Sequence, residues 1–213
     1  MKVLKPTIPK QLATPTDVRK LFTLHDDIRE LSVVGATLDA VSNKSLHISE
    51  SEFVKTDLSR MVIERFDALD CIFRQCNLSA SKFVDSSWHV ISFDGIRASG
   101  MQLQHSRLKN ILFKDSKLEM TNFRSTHMEN IIFEDCNLDE VDFNGARLKN
   151  IDFINCTIKN ISFAGTKIVS VNLSQSHIES IKGVASLKGI TISYDQLMQL
   201  APYFAHEAGI KVV

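Results

Sequence analysis

From residue 31 to residue 180 an apolar residue returns at every fifth position without a break of phase. The centres run through Val33, Leu38, Ile48, Phe53, Leu58, Ile63, Phe73, Leu78, Phe83, Trp88 and Phe93, and continue in step to Leu173 and Ile178. Of thirty such positions, only Asn43, Ala68 and Ala98 hold anything but a large apolar side chain. The position two before each centre is apolar or small as well, as at Cys71, Ser81, Thr121 and Ile151. A helix repeats at about 3.6 residues and a strand at about 2.0, so neither explains a period of five over this length. Fixed self-similarity marks a solenoid, in which each unit covers the apolar face of the next. Two inward positions per five, separated by one outward residue, describe a short extended segment followed by a bend. Four such segments close into a square coil, and stacked coils form a parallel β-helix with a spacing of roughly 4.8 Å.

Local units such as Cys76-Asn77-Leu78-Ser79-Ala80, Thr121-Asn122-Phe123-Arg124-Ser125 and Cys136-Asn137-Leu138-Asp139-Glu140 resemble the Ala-(Asp/Asn)-Leu-X-X consensus of the pentapeptide-repeat proteins. The resemblance implies an all-β fold, a right-handed quadrilateral parallel β-helix with a short helical C-terminal cap. The departures lie two residues before the centre, where Ile91, Ile111, Ile131, Ile151 and Ile161 replace the usual small residue. Four of these stand twenty apart, as do Phe93, Phe113, Phe133 and Phe153, which is the recurrence a four-sided coil predicts. The chain then divides into a capping segment 1–27, the β-helix 28–182, and a C-terminal cap 183–213 with a role in dimerisation.

Pro6, Pro9 and Pro15 keep the start irregular, and Thr16 is placed to cap a short helix over 16–22. This segment either covers the first coil, whose open end exposes core and backbone, or docks as an arm on a partner. The repeat weakens over 28–70, where Phe66 stands before Ala68 as a large-for-small exchange within one coil. At 96–101 the run Ile96, Ala98, Gly100 and Met101 predicts a bulge or bend. Past 180 the repeat dissolves. Ser193 caps a helix over 194–200, Pro202 ends or kinks it, Gly209 closes a further short turn, and 210–213 reads as a last strand. Leu197, Leu200, Ala201 and Phe204 make an apolar stripe at helical spacing. Packing on the last coil is one use of that stripe; the resemblance adds end-to-end pairing into a homodimer.

Formal net charge is zero, with 25 basic and 25 acidic residues. Counting by twenty places Asp94, Asp115, Glu134, Asp135 and Asp152 on one face, with Lys114 as the nearby base. Arg107, Lys109, Arg147, Lys149 and Lys167 fall on the face preceding it in each coil, with His127 between them and Glu129 as the exception. Either an acidic side adjoins a basic side, or adjacent charges pair across the corner, where exposed pairs contribute little. Asn110, Asn130 and Asn150 also recur at twenty and predict a stacked amide ladder. The four cysteines, Cys71, Cys76, Cys136 and Cys156, point inward as small hydrophobes. Cys136 and Cys156 lie one coil apart, either as free thiols or as a pair close enough to bridge.

A filled square coil offers flat walls rather than a pocket with converging groups. His47, His89 and His127 share a face but stand about 10 Å apart in turn, too far for common metal ligation. Neither a phosphate loop, a nucleophile elbow nor a zinc spacing occurs. Catalytic residues, metal and cofactor are therefore not expected. With no membrane-length apolar run and no leader-like start, a cytoplasmic protein is expected. The resemblance implies relatives that mimic duplex DNA, bind type II topoisomerases such as gyrase, and alter quinolone sensitivity. A rod on the order of 36 Å long suits such a role, but a neutral chain poorly imitates a dense polyanion. Direct nucleic-acid binding through the basic face would lack an aromatic stacking platform. The sequence thus reads as a rigid protein-interaction module whose partner is open, with a topoisomerase-binding DNA mimic as the alternative.

Overall fold

The computed structural model describes residues 2–211, and its chain winds into a parallel β-solenoid of about eight turns. Register is strictly one coil per twenty residues over most of the length. Trp88 pairs with Leu108, Leu108 with Met128, and Met128 with Leu148. Each coil has four sides. The first carries Val33, the ladder Phe53 to Phe153, and Leu173. The second carries Leu38 to Ile178, the third Asn43 to Phe163, and the fourth Ile28 to Ile168.

The sides differ in how they turn. On the fourth and first, long strands run through the corner, as in Ser87–Asp94, Arg107–Lys114 and His127–Glu134. Isoleucine two before the centre fits the pleated, half-buried surface that β-branched side chains favour. Through the middle coils the second and third sides pair by single bridges, such as Arg97 with Lys117 and Gln102 with Asn122, and short two-residue ladders appear toward the ends, as between Ser42–Asn43 and Val62–Ile63. Their corners are β-turns: the Thr121 amide bonds the Leu118 carbonyl at 3.0 Å, with Met120 at φ 56° between them. A positive φ in the third residue of the turn is the type II geometry. Small inward hydroxyls satisfy the same corners, as where Ser81 Oγ donates to the Leu78 carbonyl at 2.6 Å.

The core is a column of stacked rings. Phe93, Phe113, Phe133 and Phe153 lie nearly parallel, with centroids 4.8 to 5.0 Å apart. Phe123, Phe143 and Phe163 form a second stack on the third side. The three exceptions to the apolar period each have a cause. Asn43 donates its amide to the Phe22 carbonyl at 3.0 Å and so ties the N-terminal helix to the first coils. Ala68 leaves room for Phe66 and Trp88, whose rings meet at 4.6 Å. Ala98 is flanked by buried Ile96 and Met101, so the bulge expected at 96–101 does not form and Arg97 keeps its register with Lys117. The register slips instead at the far end, where Ile154 pairs with Gln175 after Asp152 has paired with Asn172.

Both ends are covered. Helix α1 spans Val18–Leu24 with Asp17, not Thr16, as its cap: Asp17 accepts from the Lys20 amide at 2.9 Å. Its Phe22 is buried and meets Phe53 edge-on at 6.0 Å. Helix α2 spans Tyr194–Glu207 behind a Ser193–Gln196 capping box. It runs through Pro202 rather than ending there, so the second short turn expected after Pro202 is part of the same helix. Gln196 also donates to the Leu173 and Ser176 carbonyls at 2.8 and 2.6 Å, which locks α2 onto the last coil. Ile210 and Lys211 form no strand; Val212 and Val213 lie outside the described residues.

Candidate interaction surfaces

The strand register builds a cationic column on the fourth side. Arg107, His127, Arg147 and Lys167 are direct neighbours on four successive coils. A second column beside it holds Lys109, Glu129, Lys149 and, on the next coil, Val169. Glu129 bridges its two neighbours, at 3.0 Å to Lys149 and 3.6 Å to Lys109. The hydrogen bond from Lys149 holds the Glu129 carboxyl below its ordinary range. Among the described residues no carboxylate lies within ion-pairing distance of Arg107, Arg147 or Lys167. Between the columns runs an open groove of about 490 Å³ whose rim also includes Val169, which is 69% exposed. Stacked one coil apart, these like charges add to a positive potential over the groove, moderated by Glu129 in its lining.

The residues expected to form an acidic face do not share one column. Asp94, Lys114 and Glu134 are register neighbours, and Lys114 Nζ bonds Glu134 at 2.8 Å. That bond raises the Lys114 ammonium above its ordinary value. Asp115 and Asp135 occupy the next corner, both at positive φ. Asp152 belongs to the column of Leu112 and Ile132, on the outward face of the first side. That column reads Ile72, Ser92, Leu112, Ile132: an aliphatic stripe facing away from the core, which the charge count passed over. Its sequence signal was three apolar residues at outward positions of one side.

The N-terminal segment covers the stripe. Ala13 bridges to Leu31 at the first coil. The Thr7 amide bonds Asp70 Oδ1 at 3.0 Å. Residues Lys2–Pro6 then lie over Ile72, Leu112 and Ile132, enclosing about 420 Å³ with them. The segment therefore runs along the solenoid axis on the outside of the first side, while α1 alone closes the end.

On α2 the four residues of the expected stripe separate. Leu200 is buried against the last coils and Phe204 packs partly on the core. Leu197 and Ala201 face outward, together with Tyr194 and Met198. These four stand at i, i+3, i+4 and i+7, one exposed helix face.

The cysteines are free and donate to core carbonyls, Cys136 to Phe113 and Cys156 to Phe133, each at 3.4 Å. Burial pushes the Cys71 thiol up to about 12 and Cys76 to about 11. The neighbouring Cys156, together with burial, raises the Cys136 thiol as well. Among the described residues no cluster of histidine, cysteine or carboxylate side chains could hold a metal ion.

The family model described as Pentapeptide repeat region matches residues 46–123 and 112–182. The chain belongs to the pentapeptide-repeat family. Among solved structures it is similar to QnrB1, a plasmid-mediated fluoroquinolone resistance protein, in a trypsin-treated form. The identity is 14% and the TM-score 0.50, over 88% of this chain and 99% of that one. It is also similar to HetL, a pentapeptide-repeat protein involved in heterocyst differentiation regulation from the cyanobacterium Nostoc sp. strain PCC 7120, at 12% identity. That match covers 79% of this chain and 92% of HetL, with a TM-score of 0.28. No curated protein sequence matches. At these identities the likeness is one of fold.

Proposed function

We propose that this pentapeptide-repeat protein is a non-enzymatic, rigid interaction module that docks an acidic protein surface on its fourth side. The observation that carries the reading is the open column Arg107, His127, Arg147 and Lys167 on four adjacent coils, with no carboxylate at ion-pairing distance from Arg107, Arg147 or Lys167 among the described residues. Side chains on a stacked sheet keep their spacing, so the column presents charge without reordering on contact, which is what favours fast, specific association. Two copies join through the outward face of α2, extending the rod and doubling the number of columns. The alternative, a DNA mimic bound to a type II topoisomerase such as gyrase, draws on the fold shared along QnrB1. Against it stands the sign of the uncovered charge, which is opposite to that of a nucleic-acid backbone.

The test compares the full chain with R107E/R147E/K167E as bait in native cell extract at two salt concentrations, beside a gyrase supercoiling assay and a DNA-binding control. The reading expects a protein partner held by the wild type, weakened by salt and lost with the triple variant. Equal capture by both baits overturns it. Inhibition of supercoiling without DNA binding would favour the mimic instead.

A further inference from the structure

The strapped outer face has the features of a binding site that is already occupied. Aliphatic side chains at outward strand positions are unfavourable in water, yet Ile132 is only 8% exposed because residues Lys2–Pro6 lie across its column. The strap is loosely seated. Among the described residues, 2–12 make one hydrogen bond to the solenoid, from the Thr7 amide to Asp70. Leu4 is 61% exposed, and about 420 Å³ of open space remains between strap and sheet. A segment evolved only to cover the stripe would fill that space. The strap shows what the channel accepts: Lys2 and Lys5 flank Val3 and Leu4, and the aliphatic stripe beneath them is edged by Asp94 and Glu134 as well as Arg74, with Glu134 bonded to Lys114.

We infer that this channel recognises an extended protein segment in which aliphatic residues are flanked by lysine or arginine, and that Lys2–Thr7 is its resident, displaceable occupant. The strap is then intrasteric: an external segment gains the channel only by competing with one tethered beside it. The site is separate from the fourth-side groove and shares no lining residue with it, so either can fail without the other. A short tether presents its own segment at roughly millimolar effective concentration. An identical external peptide with a dissociation constant on the order of 100 µM therefore sees the wild type about tenfold weaker than a chain whose strap is lifted.

The probe is a fluorescein-labelled peptide of residues 2–8, titrated by anisotropy against the full chain and its variants. Val3→Asp puts a charge over the stripe and lifts the strap while leaving every solenoid contact of the peptide in place. It is expected to bind the peptide about tenfold more tightly than the wild type. Leu112→Lys added to Val3→Asp is expected to abolish that binding, with far-ultraviolet circular dichroism unchanged because both side chains lie outside the core. A peptide with serine at both Val3 and Leu4 is expected not to bind. Equal affinity for wild type and the lifted variant, no binding to either of them at millimolar peptide, or indifference to Leu112→Lys would each overturn the inference.

Discussion

Phe133→Ala removes an interior ring of the longest stack and tests whether the solenoid is held by its ring column. Phe133 is fully buried, 5.0 Å from Phe113 and 4.8 Å from Phe153, with planes within 5° and 12° of parallel. Phe123 and Phe143 meet it edge-on at 6.4 Å. A core truncation is costly in proportion to the cavity that remains. Collapse is obstructed here, because the coils above and below are fixed by a continuous backbone ladder. The cost should therefore fall in the upper part of the usual range for such a change, about 4–5 kcal/mol. Phe163 stacks on one neighbour only, Phe143 at 5.5 Å, and its truncation should cost nearer 3 kcal/mol.

The assay is guanidinium unfolding followed by circular dichroism and by Trp88, the single tryptophan, which is buried among Phe66, Phe83 and Phe93. A double-mutant cycle adds the decisive comparison. Phe113 and Phe133 should couple by about 0.5–1.5 kcal/mol, the strength of an aromatic pair. Phe53 and Phe133, four coils apart, should add within about 0.5 kcal/mol. A loss below about 2 kcal/mol for Phe133→Ala, or one no larger than for Phe163→Ala, would refute the ring column as the main source of stability.

Two further outcomes follow from the same coordinates. The folded Cys71 and Cys76 thiols hold their protons to about 12 and 11, whereas an unfolded thiol ionises near 8.5. Their contribution is thus full below that lower value and is lost as pH rises toward the folded ones, at about 1.4 kcal/mol per unit for each thiol. Denaturation midpoints should fall between pH 8 and pH 10, as rough bounds set by these ionisations, and Cys71→Ala should flatten the fall; an unchanged slope would remove the thiols as its cause. Leu197→Asp with Met198→Asp should halve the mass seen by light scattering while leaving α2 on its coil, since Gln196 and Leu200 hold the other face. A wild type already at the mass of one chain would rule out pairing through this helix.

The fold was legible because the period of five is a property of the core alone. Every centre except Asn43, Ala68 and Ala98 carries its own signal, and parallel register converts spacing by twenty into neighbourhood. The cationic column followed from the same counting: Arg107, His127, Arg147 and Lys167 meet because nothing interrupts the coils between them. The five acidic residues flank the centres of one side, as counting by twenty places them, but they stand in separate columns because a side has three outward positions per unit, which counting by face does not distinguish. The strap was illegible for a different reason. Residues 2–12 have no repeat to set their register, and their path is fixed only by contacts with residues far along the chain, such as Thr7 with Asp70. On α2, Pro202 signalled a break, yet the helix continues because an absent proline amide removes one hydrogen bond while Leu200 and Phe204 retain their packing.

What the repeat fixes and what it leaves free explain the two surfaces together. Inward positions are constrained by stacking, and the corners by backbone geometry. Residues as different as Met120, Asp135 and Val90 stand at positive φ there, a conformation that costs about 1–2 kcal/mol for an L residue. The coil stacking offsets that strain whatever side chain sits at the corner, so outward columns are free to vary without endangering the fold. A column that diverges from a polar default in such a protein is therefore informative. Two do so here, on adjoining sides. The cationic one is open, whereas the aliphatic one is covered by residues of the chain itself. The opposite treatment follows from solvation: exposed cations are stable in water without a partner, but exposed leucine and isoleucine on a flat strand surface invite association with any extended chain. A strap that shields the stripe yet yields to a better-matched segment would meet both requirements, in keeping with the one hydrogen bond that residues 2–12 make to the solenoid among the described residues and with the open volume beneath them.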